Sequence, residues 1–206
     1  MSVPMALMDL LPVLLFTAAS MVLMHDLYHM MSKGAFALLS AGLITVCAAG
    51  FYKALWKLLY ALNICDFTVL NNAFFPMQTT GFILAALGMA GLMFFHQKAA
   101  YAIVPVYASS MPFVILMVLG TAGLWGSLAD VALRMKKKKT ALLFAFSFAC
   151  MMAMGYLSSR DFTDPAMNWI GETVNTAGML LFLAGAVCLH RGGMESFEWK
   201  YRADRL

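Results

Sequence analysis

Hydrophobic residues fall into six long runs that are separated by shorter polar segments. A membrane-spanning helix needs roughly 20 predominantly apolar residues, and each run approaches that length. The runs are Met5–Met24, Ala35–Tyr52, Pro76–Phe95, Met111–Ala129, Ala141–Ser158 and Trp169–Leu189. The pattern predicts an all-α, polytopic integral membrane protein in which residues 1–206 form a single six-helix transmembrane domain.

The composition agrees with this class. Hydrophobic residues make up 63% of the chain and charged residues 12%, whereas a soluble domain carries about 25% charged residues. The four cysteines occur singly and without a CxxC motif, so they indicate neither a disulfide framework nor a zinc-binding motif. The first run contains Asp9 and lacks a basic segment before it, which favours a retained membrane helix over a cleaved signal peptide.

The segment Arg134–Lys139 places five cations in six residues and therefore must lie outside the hydrocarbon. Lys and Arg accumulate in cytoplasmic loops. If the six helices alternate in direction, eleven of the fourteen Lys and Arg residues fall on the side of this segment. We therefore expect a multi-pass protein of the plasma membrane with both termini in the cytoplasm and a basic cytoplasmic tail at residues 191–206.

The net charge of +4 lies mostly on that predicted cytoplasmic side. It suits the anionic headgroups of the lipid bilayer rather than nucleic acid. Arg134–Lys139 and the C-terminal tail are also available for contact with a cytoplasmic protein partner.

Alternation also predicts that the two halves of the chain, three helices each, have opposite orientations, as in inverted-repeat transporters. Pro76 is expected in the first turn of the third helix, where a missing N–H costs little. Lys53 and Lys57 lie one helical turn apart beside aromatic residues. We expect these two lysines to reach the cytoplasmic headgroups from the end of the second helix.

His25 and His29 are four residues apart at the predicted outer end of the first helix. This spacing puts two imidazoles on one helix face, a geometry that suits a shared metal ion. His96 is predicted on the same side of the membrane and is the candidate third ligand. A metal or haem site with these histidines is one interpretation, and a polar helix end at the headgroups is the other.

Glu172, Asn175 and Thr176 are spaced so that they share one face of the sixth helix. An ionisable residue within a membrane segment is expensive to bury, so it points to function unless it lies among the headgroups. Alternation places Glu172 at the same outer level as His25, Asp26 and His29. We therefore predict a polar pocket in which His25, Asp26 and His29 face Glu172 and Asn175, large enough for a small polar or cationic ligand.

Three functions fit this reading. The first is a transporter or binding protein for a small molecule or ion, with the outer pocket between helices one and six as its site. The second is a membrane-embedded metal- or haem-dependent enzyme or redox protein that uses His25, His29 and His96. The third is a structural subunit of a membrane complex. The chain carries no recognisable catalytic motif, so the first function is favoured over an enzyme.

Overall fold

The computed structural model describes residues 3–94, 110–157 and 165–197. In these ranges the chain forms six α-helices and a short 3-10 turn at Met194–Ser196. The helices are α1 (Val3–Leu27), α2 (Lys33–Ala61), α3 (Thr68–Phe94), α4 (Ser110–Arg134), α5 (Lys138–Leu157) and α6 (Pro165–His190). All six are long and apolar enough to cross a membrane, so the predicted all-α multi-pass helical bundle is confirmed.

Several helices extend well beyond the apolar runs. α2 continues through both lysines to Ala61, and α3 begins at Thr68 rather than at Pro76. Pro76 is therefore inside α3, and the prediction that it starts the helix is wrong. Neighbouring helices tolerate such a proline in a membrane bundle because the freed backbone carbonyl can be satisfied locally. Pro12 is likewise internal to α1, as the sequence predicts.

Side-chain contacts fix the direction of each helix. Lys57 near the end of α2 contacts Asp9 near the start of α1, so these two helices are antiparallel. Asp26 at the end of α1 contacts His190 at the end of α6. Glu172 near the start of α6 contacts the same Lys57 as Asp9 does. The two sets of contacts show that α1 and α6 run in the same direction.

The helices α3 and α4 are also parallel. Gly120 of α4 packs on Phe82 and Ile83 of α3, and Gly123, one turn later, packs on Ala86, also one turn later. Strict alternation is therefore wrong for this bundle.

α1 starts at one end, here called the N-terminal end, and α6 stops at the other, here called the basic end because Arg134–Lys139 lie there. The start of α1 and the end of α6 lie at opposite ends of the bundle, whereas alternation places them at the same end.

Two further predictions concern neighbouring segments. The segment Ala99–Ser110 carries Pro105 and no charge, which predicts a loop or half-helix on the outer face. It lies outside the described residues except for Ser110, which begins α4. The tail predicted at residues 191–206 is described as far as residue 197, and its first part is not a free extension. It forms the 3-10 turn, which packs against α1 and α6 with Met194 fully buried.

Each helix packs on its neighbours in chain order, and α1 packs on α6, so that the six form a closed ring. The first half, α1–α3, and the second half, α4–α6, both run up, down and up. The packing pattern repeats between them: α3 packs in parallel on α4, and α6 packs in parallel on α1. The halves therefore resemble a parallel repeat about an axis along the bundle, and the predicted opposite orientation is wrong.

The sequence of α3 carries Gly81, Ala85, Gly88 and Gly91 at helical spacing, a stripe of small residues that predicts the close approach of another helix. These residues bring α2 and α3 into close contact. A Cβ atom built at Gly88 would lie 2.6 Å from the backbone nitrogen of Leu39 and 2.8 Å from the carbonyl oxygen of Ala35. The backbones are thus nearly touching, which is how membrane helices gain packing energy without a hydrophobic driving force.

A buried layer of four aromatic rings fills the centre of the bundle. Phe16 of α1, Phe82 of α3, Trp125 of α4 and Phe182 of α6 form it, and Trp125 and Phe182 are 4.6 Å apart between ring centroids. Trp125 Nε1 donates a hydrogen bond to Ser147 Oγ at 2.8 Å. This bond satisfies the indole N–H, which would otherwise be costly to bury. Both halves contribute two rings each to the layer.

The close contact at Gly88 leads to a stability prediction. Gly88→Ala should destabilise the protein by about 1–3 kcal/mol, since the added methyl group meets backbone that cannot move aside. Gly126→Ala on α4 is the matched control because nothing lies within 4 Å of its Cβ position. The control should be neutral or slightly stabilising from helix propensity. Unfolding in detergent micelles measures both, and equal stabilities for the two variants would contradict the packing.

The helix directions lead to a topology prediction. In a chain cleared of its native cysteines, cysteines placed at Ser32 and at Lys137 should react with an impermeant thiol reagent from the same side of a membrane vesicle. A cysteine at Asn63 should react from the opposite side. Alternation predicts that Asn63 and Lys137 share a side, so that labelling result would overturn the parallel arrangement. The charge bias favours the cytoplasm for Ser32 and Lys137.

Candidate functional site

The N-terminal end of the bundle buries a cluster of three charged side chains, here called the charge triad. Lys57 Nζ donates to Asp9 Oδ1 at 2.7 Å and to Glu172 Oε1 at 2.8 Å. The side chains are 10%, 7% and 9% exposed respectively, so water contributes little to their solvation. The triad joins α1, α2 and α6, and through Glu172 it links the two halves of the bundle.

Burial explains why these three residues meet. A single ion in a membrane interior is costly, and pairing with an opposite charge reduces that cost. Asp9, Lys57 and Glu172 are each placed within an apolar helix, so each needs a partner inside the protein. The prediction that Lys57 reaches the headgroups is therefore wrong, because its ammonium group is held between two carboxylates instead.

A cavity of about 70 Å³ lies beside the triad. Its polar lining residues include Asp9, Lys53, Gln78 and Asn175. Pro12 also lines it, and because proline lacks an N–H, the carbonyl four residues earlier loses its usual helical partner. The cavity therefore presents both charge signs together with amide donors and acceptors.

Lys53 differs from Lys57 in how its charge is compensated. Its Nζ lies 4.4 Å from the centroid of the Phe74 ring, a cation–π contact. Within the described part of the chain it has no carboxylate within ion-pair distance. Its ammonium group is therefore available to a polar group that enters the cavity.

The cavity lining becomes apolar toward the basic end. Phe16 and Phe82 form its lining nearest that end, and both belong to the aromatic layer. Aliphatic and thioether groups of Val46 and Met179 complete this side of the lining. The cavity is thus polar at the level of Asp9 and apolar at the level of the ring layer.

Two buried polar atoms of α6 close to the cavity have no partner among the described residues. They are Glu172 Oε2 and Thr176 Oγ1, one turn apart on the helix. Buried polar atoms are usually hydrogen-bonded, and exceptions often mark places where water or a ligand binds. The burial of Glu172 and Thr176 together with the position of Asn175 in the cavity lining agrees with the predicted polar face of α6.

The basic end holds a second polar cluster, here called the Asp26 cluster. Asp26 is fully buried, and its Oδ1 lies 2.6 Å from His190 Nδ1 and 3.2 Å from His25 Nδ1. Its second carboxylate oxygen, Oδ2, is buried without a partner in the described structure. This cluster joins the last turns of α1 and α6.

The predicted pocket is therefore divided between the two ends of the bundle. Helices α1 and α6 do pack together, but Glu172 and Asn175 lie beside Asp9, whereas His25 and Asp26 lie beside His190. Asp9 and Asp26 are 17 positions apart, or about 26 Å along a helix at 1.5 Å per residue. The shared pocket of His25, Asp26, His29, Glu172 and Asn175 is wrong because α1 and α6 are parallel.

The predicted histidine set also changes. α1 ends at Leu27, so His29 follows the helix in a turn, is exposed and contacts the ring of Tyr28. The face shared by residues four apart therefore does not extend from His25 to His29. His96 lies outside the described residues. The histidine that joins His25 in this structure is His190, which sequence spacing does not indicate.

Part of the charge triad can be predicted from the sequence. Asp9 and Glu172 are charged residues within apolar runs, and Lys57 follows the second run by five residues. Charges of opposite sign in membrane helices are expected to pair. Alternation separated Lys57 from Glu172 by the thickness of the membrane and so concealed the pairing. Lys53 and Gln78 had no comparable signal, because their importance comes from a cavity formed by four helices.

The triad leads to a paired stability prediction. Lys57→Met should destabilise the protein by about 3–5 kcal/mol, since two buried carboxylates lose their counter-charge. The triple variant Lys57→Met, Asp9→Asn, Glu172→Gln removes all three charges and should recover most of that loss. Thermal unfolding in detergent measures both variants. A triple variant as unstable as Lys57→Met alone would show that the destabilisation comes from lost packing rather than uncompensated charge.

Comparison of the chain with protein-family models, curated proteins and solved structures gives no match. The function must therefore be inferred from the chemistry of the site. Its main features are a buried charge triad, an adjacent polar cavity and an aromatic layer that contributes Phe16 and Phe82 to the cavity lining.

Proposed function

We propose that this chain is a multi-pass membrane protein that binds, and passes across the membrane, a small ion or a polar solute of a few atoms. The observation that carries the proposal is the cavity beside the charge triad, lined by Asp9, Lys53, Gln78 and Asn175. Buried ionisable groups in membrane helices are costly and commonly belong to ion or substrate pathways.

The size of the cavity limits the ligand. Sites for drug-sized molecules enclose roughly 300–1,000 Å³, and this cavity measures about 70 Å³. A single ion, or a polar solute of a few heavy atoms, is consistent with this volume, whereas a vitamin or a sugar is too large for it.

The arrangement of the helices supports transport over simple binding. Transporters built from repeats hold their substrate where the repeats meet. The cavity is lined by α1, α2 and α3 of the first half and by α6 of the second half. With the basic end in the cytoplasm, as the charge bias favours, the cavity belongs to the outer half of the plasma membrane. It then retains the outer location predicted for Glu172 and Asn175, with Asp9 in place of the histidines.

Thermal unfolding of purified protein in a panel of single small ions tests the proposal. Sodium, potassium and ammonium are compared as gluconates, and chloride, formate and acetate as N-methylglucamine salts, all at one ionic strength. At least one ion should raise the unfolding temperature in a saturable manner. Asn175→Leu should abolish the rise, whereas Thr173→Val, on the exposed face of the same helix, should retain it.

Charge variants identify the sign of the ion. Loss of the effect in Lys53→Met but not in Asp9→Asn indicates an anion, and the reverse indicates a cation. The active ion should then enter liposomes that contain the wild-type protein at a rate at least about tenfold higher than it enters liposomes that contain the Asn175→Leu variant. Absence of any saturable ion effect, or an effect that Asn175→Leu leaves unchanged, would overturn the proposal.

A further inference from the structure

The Asp26 cluster at the basic end is chemically distinct from the charge triad. It contains the carboxylate of Asp26 and the imidazoles of His25 and His190. One potential ligand atom from each residue lies within 4.8 Å of the other two. The cluster is assembled by the ends of two helices, and Asp26 lies ten residues beyond Phe16, a cavity-lining residue of α1, or about 15 Å along the helix.

The buried carboxylate is incompletely satisfied. Asp26 is 0% exposed, and both imidazole Nδ1 atoms converge on Oδ1, while Oδ2 has no partner in the described structure. A buried carboxylate normally accepts hydrogen bonds at both oxygens or coordinates a metal. Oδ2 is therefore an independent indication that a further group belongs at this site.

We propose that His25, Asp26 and His190 bind a divalent first-row transition metal ion, with Zn²⁺ as the best match. Imidazole nitrogen and carboxylate oxygen are common ligands of Zn²⁺, and three protein ligands leave a fourth position for water. The side chains of His25 and His190 are 65% and 48% exposed. The ion can thus reach the site from the aqueous side, while the buried Asp26 supplies the compensating charge.

The existing contacts place the groups close to a coordinating arrangement. The two imidazole rings are 5.9 Å apart between centroids and nearly perpendicular, at 78°. Ligands of a tetrahedral Zn²⁺ lie about 2.0–2.2 Å from the ion, so small side-chain rotations would draw the three donor atoms around it. On binding, the contacts of the two imidazoles with Asp26 Oδ1 are replaced by bonds from both imidazoles and the Asp26 carboxylate to the metal ion. These bonds would fasten the end of α1 to the end of α6.

The surrounding charges set the expected strength of binding. Lys137 Nζ donates to the carbonyl oxygen of Cys188 near this cluster, and Arg191 follows His190 directly. These cations weaken the attraction of the site for a metal ion. We therefore expect micromolar rather than picomolar affinity, with Zn²⁺ preferred over Mg²⁺ and Ca²⁺, which favour all-oxygen sites.

The test uses protein purified without a polyhistidine tag and stripped of metal by a chelator. Isothermal titration with Zn²⁺ should give one site per chain, and Zn²⁺ should raise the unfolding temperature by several degrees, because a ligand bound only by the folded state stabilises it. Co²⁺ should bind at the same site and produce visible absorption with the intensity expected for four-coordinate cobalt.

Three variants decide whether this cluster is the site. His190→Ala and His25→Ala should each lower the affinity for Zn²⁺ at least about tenfold, and Asp26→Asn should do the same if it folds. His29→Ala is the matched control, since His29 is exposed near the same end of α1 but outside the cluster. Only the change caused by Zn²⁺ within each variant is compared. Wild-type affinity in His190→Ala, or the absence of Zn²⁺ binding in the wild type, would overturn the proposal.

Discussion

Charge that is removed from water inside a membrane must be balanced within the protein, and this constraint determines how the N-terminal end of the bundle is assembled. Lys57 is balanced only if its ammonium group reaches both α1 and α6, since its two carboxylate partners come from those helices. The charge triad therefore fixes three helices relative to one another more specifically than apolar contact can. The adjacent cavity depends on that arrangement, because Asp9 belongs to the triad and also to the cavity lining.

The interior between the two ends is held by a different kind of contact. Close backbone packing at glycines joins α2 to α3, and aromatic rings in stacked and edge-to-face contact join the two halves at the centre of the bundle. These contacts are apolar, so they give close packing without restricting the ends to one polar arrangement. Polar specificity is concentrated near the two ends, in the charge triad and in the Asp26 cluster.

The sequence predicted the helices well and their directions poorly, for a physical reason. Apolar length and glycine spacing are local properties, so the six helices and the close packing at Gly88 could be inferred directly. Helix direction was inferred from alternation, which fails between α3 and α4. That single difference moves Glu172 from the level of His25 to the level of Asp9 and Lys57. The pairing of His190 with Asp26 could not be inferred, since residues 164 positions apart meet only through the fold.

The two polar clusters also have a mechanical relationship. Lys57 and Asp26 belong to the first half, whereas their partners Glu172 and His190 belong to the second half. Each cluster is thus a polar contact between the two halves, and the aromatic layer lies between the two clusters. If the two halves rotate about the aromatic layer, separation at one end lengthens only the polar contacts of the cluster at that end. The contacts of the other cluster can remain in place. If the chain transports an ion as proposed, this arrangement lets the contacts between the halves separate at one side of the membrane at a time.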